Sequence, residues 1–162
     1  TTAKSKLHPC RQPMIKAKFQ AAAFGGTPDD VEAAFYDAMQ HGEVDKLMAC
    51  WADEDDIVCV HPGGPRLMGP VAIRAAFEAM FANGTIQASP QHLRRVESVA
   101  SAVHSLVERI DVMTPEGLRH AYVVATNVFH KTALGWRMVV HHASPGTKHA
   151  AEASADVAQV LH

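Results

Sequence analysis

The hydrophobic period of this chain changes once, at Gly84, and that change limits the folds open to it. Before it, apolar residues recur at helical spacing. Val31, Ala34, Phe35, Ala38 and Met39 follow i, i+3, i+4, i+7, i+8; Val44, Leu47, Met48 and Trp51 repeat the interval, as do Ile73, Ala76, Phe77, Met80 and Phe81. Thr27-Pro28-Asp29-Asp30 reads as a helix start, with a capping hydroxyl, a proline suited to the first turn and two acids facing the positive end of the dipole. Gly42 closes that helix; Gly69-Pro70 opens the third and Asn83-Gly84 ends it.

After Gly84, residues 85–97, 102–113, 118–131 and 134–144 are rich in Val, Ile, Thr and aromatics, with turn residues between them. Such short connections make neighbours antiparallel, so a four-strand meander is expected. Ile57-Val58-Cys59-Val60-His61, stopped by Pro62-Gly63-Gly64-Pro65, adds a strand piece at one edge. Three helices followed by strands predict an α+β domain: a curved antiparallel sheet of about six strands with three helices on its concave side. That geometry is a cone with an internal hollow suited to a small-molecule ligand.

Composition sets the outer bounds. At 162 residues the chain suits one domain, taken as residues 27–145. Residues 1–26 form a basic arm with Lys4, Lys6, Arg11, Lys16, Lys18 and no acid, expected to pack on its own domain or a partner; 146–162 form an alanine-rich tail that suits a short helix. A net charge of −2 argues against a nucleic-acid partner, and no apolar run is long enough to make the membrane one. Three cysteines are too few and odd for a disulfide framework, which points to a reducing, cytoplasmic setting. With no HExxH or CxxC spacing, neither a metal nor another cofactor is expected.

The helix, Gly42, helix, Trp51-Ala52-Asp53 succession, the strand ending His61-Pro62-Gly63-Gly64, and Leu67-Met68-Gly69 before a helix with Ile73-Arg74 together resemble the NTF2-like superfamily. The closing run from Gly135-Trp136 to His142-Ala143-Ser144 resembles the last strand of SnoaL-like and ketosteroid-isomerase-like members. It is also similar to the association domain of calmodulin-dependent kinase II at Trp136, His142 and Ser144. The likeness covers residues 28–145 and implies the cone fold. It leaves function open, since the superfamily holds isomerases, dehydratases, transport factors and oligomerisation modules.

His61 is the leading catalytic candidate. It ends a strand before Pro62, where the resemblance places an isomerase's general-base aspartate, and an imidazole can take a proton alpha to a carbonyl. The oxyanion-hole tyrosine's place falls on Phe35, which has no hydroxyl; the second donor's place falls near Asn127, whose amide can still donate. One donor short, the site is read as no steroid isomerase. Simple alternation puts Trp136, Met138, Val140 and His142 on one face and Arg137, Val139 and His141 on the other. The resemblance favours Trp136 and His142 as the pair that matters, as pocket residues or, for His142, at a dimer contact. Trp51 and Phe35 join them as lining, and Arg66 stands at the mouth, where it can hold a ligand carboxylate.

Alternation on 118–131 opposes His120, Tyr122, Thr126 and His130 to Arg119, Asn127 and Phe129, and the pattern leaves inside and outside open. Of Glu108 and Arg109, one must face inward. Cys50 and Cys59 read as small buried thiols. Two functions remain: an isomerase- or dehydratase-type enzyme with a histidine base, or a non-catalytic ligand-binding or oligomerisation module. Either is expected to form a homodimer through the outer sheet face.

Overall fold

The computed structural model describes residues 26–149, so the basic arm and most of the tail lie outside the described residues. Helix α1 (Pro28–His41) starts where the capping residues put it. Thr27 Oγ1 accepts from the Asp30 N–H at 3.2 Å, and Asp30 Oδ2 accepts from the Thr27 N–H at 3.1 Å, a reciprocal capping box. Gly42 ends it at φ +68°, its N–H shared between the Ala38 and Met39 carbonyls. A Cβ there would meet Thr85 Cγ2 at 3.2 Å, so both conformation and space ask for glycine.

Helix α2 (Val44–Ala49) is shorter than its apolar stripe, which ran on to Trp51. Strand pairing takes over: the Met138 N–H donates to the Cys50 carbonyl at 2.8 Å, and the Ala52 N–H to the Met138 carbonyl at 2.9 Å. The chain then makes β1 (Val58–Val60), β2 (Arg66–Met68), α3 (Gly69–Phe81) and four long strands. These are β3 (Gln87–Glu97), β4 (Ser101–Thr114), β5 (Gly117–Thr132) and β6 (Gly135–Pro145).

The sheet order is β2-β1-β6-β5-β4-β3, which sets the predicted meander beside the early strand pieces. One pairing corrects the all-antiparallel expectation: β1 lies parallel to β6, Cys59 opposite His141, so the sheet is mixed. β1 reaches the free edge of β6 only after the whole meander has been laid down, and such a long connection permits parallel alignment. Register breaks between Gln91 and Arg94 in β3, where His92 sits at φ +52°, and again where β5 meets β6. Such bulges bend a sheet.

The helices fill the concave side. Val31, Phe35 and Met39 of α1, with Ile73 and Phe77 of α3, are buried against Ala102, Leu106, Ala125, Phe129 and Met138 of the sheet. Phe35 is fully buried and meets Tyr36, Trp51 and Phe77 edge to face, with ring centres 5.3, 6.3 and 6.0 Å away. Among the described residues no helix is long and apolar enough to cross a membrane.

Candidate active site

Residues at matching register on adjacent strands stand side by side, and here one such row is polar. His104 of β4 faces Asn127 of β5, Asn127 faces His141 of β6, and His141 faces Cys59 of β1. On β5 the buried residues are Val123, Ala125, Asn127 and Phe129, so the odd positions face the helices; on β4 Ala102, His104, Leu106 and Glu108 do. This resolves both open questions of pattern, with Asn127 and Glu108 turned inward.

On β6 simple alternation fails. Pairing passes from Val128 opposite Val140 to Phe129 opposite Met138, so Val139 is an extra residue and the alternation resets there. Met138 and His141 are therefore both buried, and His142 is exposed on the convex side. The expectation that His142 lines the pocket is corrected: His141 takes that place.

Helix α1 lays Glu32 and Tyr36, one turn apart, over this row. Glu32 Oε2 accepts from Asn127 Nδ2 at 2.9 Å and lies 3.0 Å from His104 Nδ1. Asn127 Nδ2 also reaches the Tyr36 hydroxyl oxygen at 3.3 Å, and that hydroxyl donates to Glu108 Oε1 at 2.7 Å. Both amide protons of Asn127 are then used, so its Oδ1, 2.7 Å from His141 Nδ1, must accept. That fixes the proton of His141 on Nδ1. Its Nε2 keeps a bare lone pair, which lies 3.9 Å from Glu108 Oε1.

Burial tunes these groups further. Desolvation pushes the Glu108 carboxyl up to about 7; the nearby Glu32 charge adds to this and the Tyr36 hydroxyl opposes it. Burial lowers His141 to about 3, helped by His61 and His142. Glu108 therefore exchanges its proton near neutrality, while His141 stays neutral beside it.

His61 stands at the edge of the group. Its half-buried ring packs edge to face on Phe77 at 5.0 Å and lies 6.3 Å from the ring of His141. Burial lowers its pKa. Burial also pushes the Cys59 thiol up to about 12, so Cys59 keeps its proton and is no thiolate nucleophile. The thiol lies 3.7 Å from His61 Nε2, an orientation that lets Nε2 accept and leaves Nδ1–H free to donate.

The other expected site residues are dispersed. Phe35 packs at 5.4 Å on the His141 ring as an apolar wall. Trp51 is buried against Phe35 in the core, and its Nε1 has no partner among the described residues. Trp136 is half buried opposite Lys131 near the start of β6, five residues and roughly 16 Å along the strand from His141. Arg66 is exposed on the edge strand β2.

Tyr36, Glu32 and His104 escaped sequence reasoning. Glu32 and Tyr36 share the i, i+4 spacing along the flank of the apolar stripe, a signal that was present but polar. Among the described residues, no group of three His, Cys, Asp or Glu side chains is arranged to hold a metal.

Beyond the end of β6, the edge of β5 has no strand partner among the described residues and bounds a groove of about 660 Å³. Pro62, next to His61, and Val123, opposite Glu108, belong to its wall; Arg119, His120 and Lys148 also line it.

Comparison with known proteins agrees with this fold. The family model described as a SnoaL-like domain matches residues 29–148. A structure from Thiobacillus denitrificans, provisionally described as a calcium/calmodulin-dependent protein kinase type II association domain, is 34% identical. That match covers 75% of this chain and 96% of the other, with a TM-score of 0.68. A Streptomyces avermitilis protein, provisionally described as a dehydratase of the NTF2-like family, is 31% identical over 74% of this chain and 99% of its own, with a TM-score of 0.64. An NTF2-like protein with a cystatin-like fold from Novosphingobium aromaticivorans shares the fold at 17% identity, covering 86% and 94% of the two chains with a TM-score of 0.65. None of the curated proteins matches.

Proposed function

This chain belongs to the SnoaL-like domain family, with an NTF2-like fold, and from that premise we propose that it is a small proton-transfer enzyme of the isomerase or dehydratase type. The observation that carries this reading is Glu108, an inward carboxyl placed between the Tyr36 hydroxyl and the bare Nε2 of His141, whose ring lies 6.3 Å from that of His61.

The roles follow from the proton positions. Glu108 as carboxylate takes a proton from the carbon alpha to a carbonyl, and the C–H electron pair moves toward the carbonyl. His61, neutral through burial, donates from Nδ1 to the carbonyl oxygen as charge develops there. Protonated Glu108 turns its hydrogen toward His141 Nε2. Returning the proton to another carbon gives isomerisation; returning it to a β-hydroxyl breaks the C–O bond, forms C=C and releases water. The base thus moves from His61 to Glu108, because burial weakens His61 as a base and brings Glu108 near the working pH.

A non-catalytic ligand-binding or oligomerisation module is favoured by one observation: the bonds joining Glu32, Asn127, Tyr36 and His141 are satisfied without a ligand. The homodimer remains part of the proposal, supported by the half-buried row Val103, Val128, Val140 and Val58 across the convex face. The enzyme reading is tested by proton NMR in heavy water with a panel of simple ketones and β-hydroxyketones. Catalysed loss of the alpha-proton signal supports it. Ketones that bind, seen as shifts of the His61 ring signals, yet exchange no faster than in buffer leave the binding module instead.

A further inference from the structure

We infer that the substrate carries an anionic group, a carboxylate in the simplest case, held by Arg119 at the open rim of the groove while its carbonyl end lies at His61 and Glu108. This rests on the proton-transfer reading for the identity of the reacting end. The binding of the anionic end is argued separately, from the groove itself.

β4 and β5 pair without a break from Ser101 to Thr114, so the odd positions of β5 stay on one face along its whole length. Arg119, Ala121 and Val123 therefore continue the concave face that carries Asn127. Arg119 stands beyond the last residue of β6, where that face opens into the groove. Among the described residues that line the groove, Arg119 and His120 are basic and none is a carboxylate. The nearest acid in register, Asp111, is already engaged: Arg109 Nε donates to its Oδ1 at 3.1 Å, and His120 Nδ1 lies 2.8 Å from the same atom. Among the described residues Arg119 has no acidic partner.

A guanidinium offers a forked, planar set of donors that matches a carboxylate. Four residues separate Arg119 from Val123, roughly 13 Å along the strand, and the flexible arginine stem closes several ångströms of that. The remaining span suits an oxo acid of medium chain length. Neutral ketones would forgo the arginine contact.

The test measures binding by NMR titration for 5-oxohexanoate, 7-oxooctanoate and 9-oxodecanoate, each beside its methyl ester, with wild type and Arg119→Gln. At least one acid is expected to bind about tenfold or more tightly than its ester, and Arg119→Gln to abolish that preference while leaving ester binding unchanged. Equal binding of every acid and ester, a preference that survives Arg119→Gln, or no binding of any acid overturns the inference. The same samples are read for alpha-proton exchange. An Arg119-dependent acid preference without exchange removes the proton-transfer reading and keeps the anion subsite; exchange without acid preference does the reverse.

Discussion

Glu108→Gln is expected to slow alpha-proton exchange by about 10²- to 10⁴-fold while the protein stays folded. The amide keeps the shape of the carboxyl and still accepts the Tyr36 hydroxyl through its oxygen, so the loss falls on proton acceptance. The pH profile gives a second readout. The carboxylate is the active form, so the wild-type rate should rise as pH passes about 7, where burial holds Glu108. Tyr36→Phe removes the hydrogen bond that pulls Glu108 down, which should move the rise to higher pH. A Glu108→Gln variant that keeps the wild-type rate, checked by the same heavy-water assay, would remove Glu108 from the chemistry.

Asn127→Leu is expected to cost about 3–5 kcal/mol of stability, measured by urea unfolding as a lower midpoint at unchanged slope. Leucine keeps the branched shape but its methyl groups are bulkier, so crowding at this fully buried position adds to the polar cost. Three hydrogen bonds disappear, and the Tyr36 oxygen, one bond of the Glu32 carboxylate and the His141 Nδ1–H all lose their partner in the interior. Each stranded buried group costs about 1–3 kcal/mol, which makes this row as important to folding as a large core residue. A loss under about 1 kcal/mol would mean that water enters the row and replaces the amide.

The fold was largely legible because its main devices are local. The capping residues at Thr27 and Asp30, the turn at Gly42, the helical stripes and the spaced turns of the meander each act within a few residues. The parallel contact of β1 with β6 was not, since nothing local records which edge a short strand will reach. The candidate site was legible in part. The structure places His61, Asn127 and Phe35, all named from the sequence, around His141, and one of Glu108 and Arg109 was expected to face inward.

His142 was preferred to His141 on the resemblance, once strict alternation through β6 had put the two on opposite faces. One extra residue at Val139 reverses the face of everything after it, and only pairing reveals that residue. Tyr36 was missed for a different reason. The tyrosine expected at position 35 was sought at one position, while α1 offers the next residue on its polar flank, where the inward Glu108 gives the hydroxyl an acceptor.

The proposed chemistry depends on Glu108 gaining and losing its proton near neutrality. Carbon-13 NMR of protein labelled at the glutamate side-chain carboxyl carbon reads that titration without any substrate. One resonance, absent in Glu108→Gln, should titrate near pH 7 and move upward in Tyr36→Phe. If every glutamate resonance titrates in the ordinary range of about 4–5, the polar row is scaffolding and the proton-transfer account is wrong.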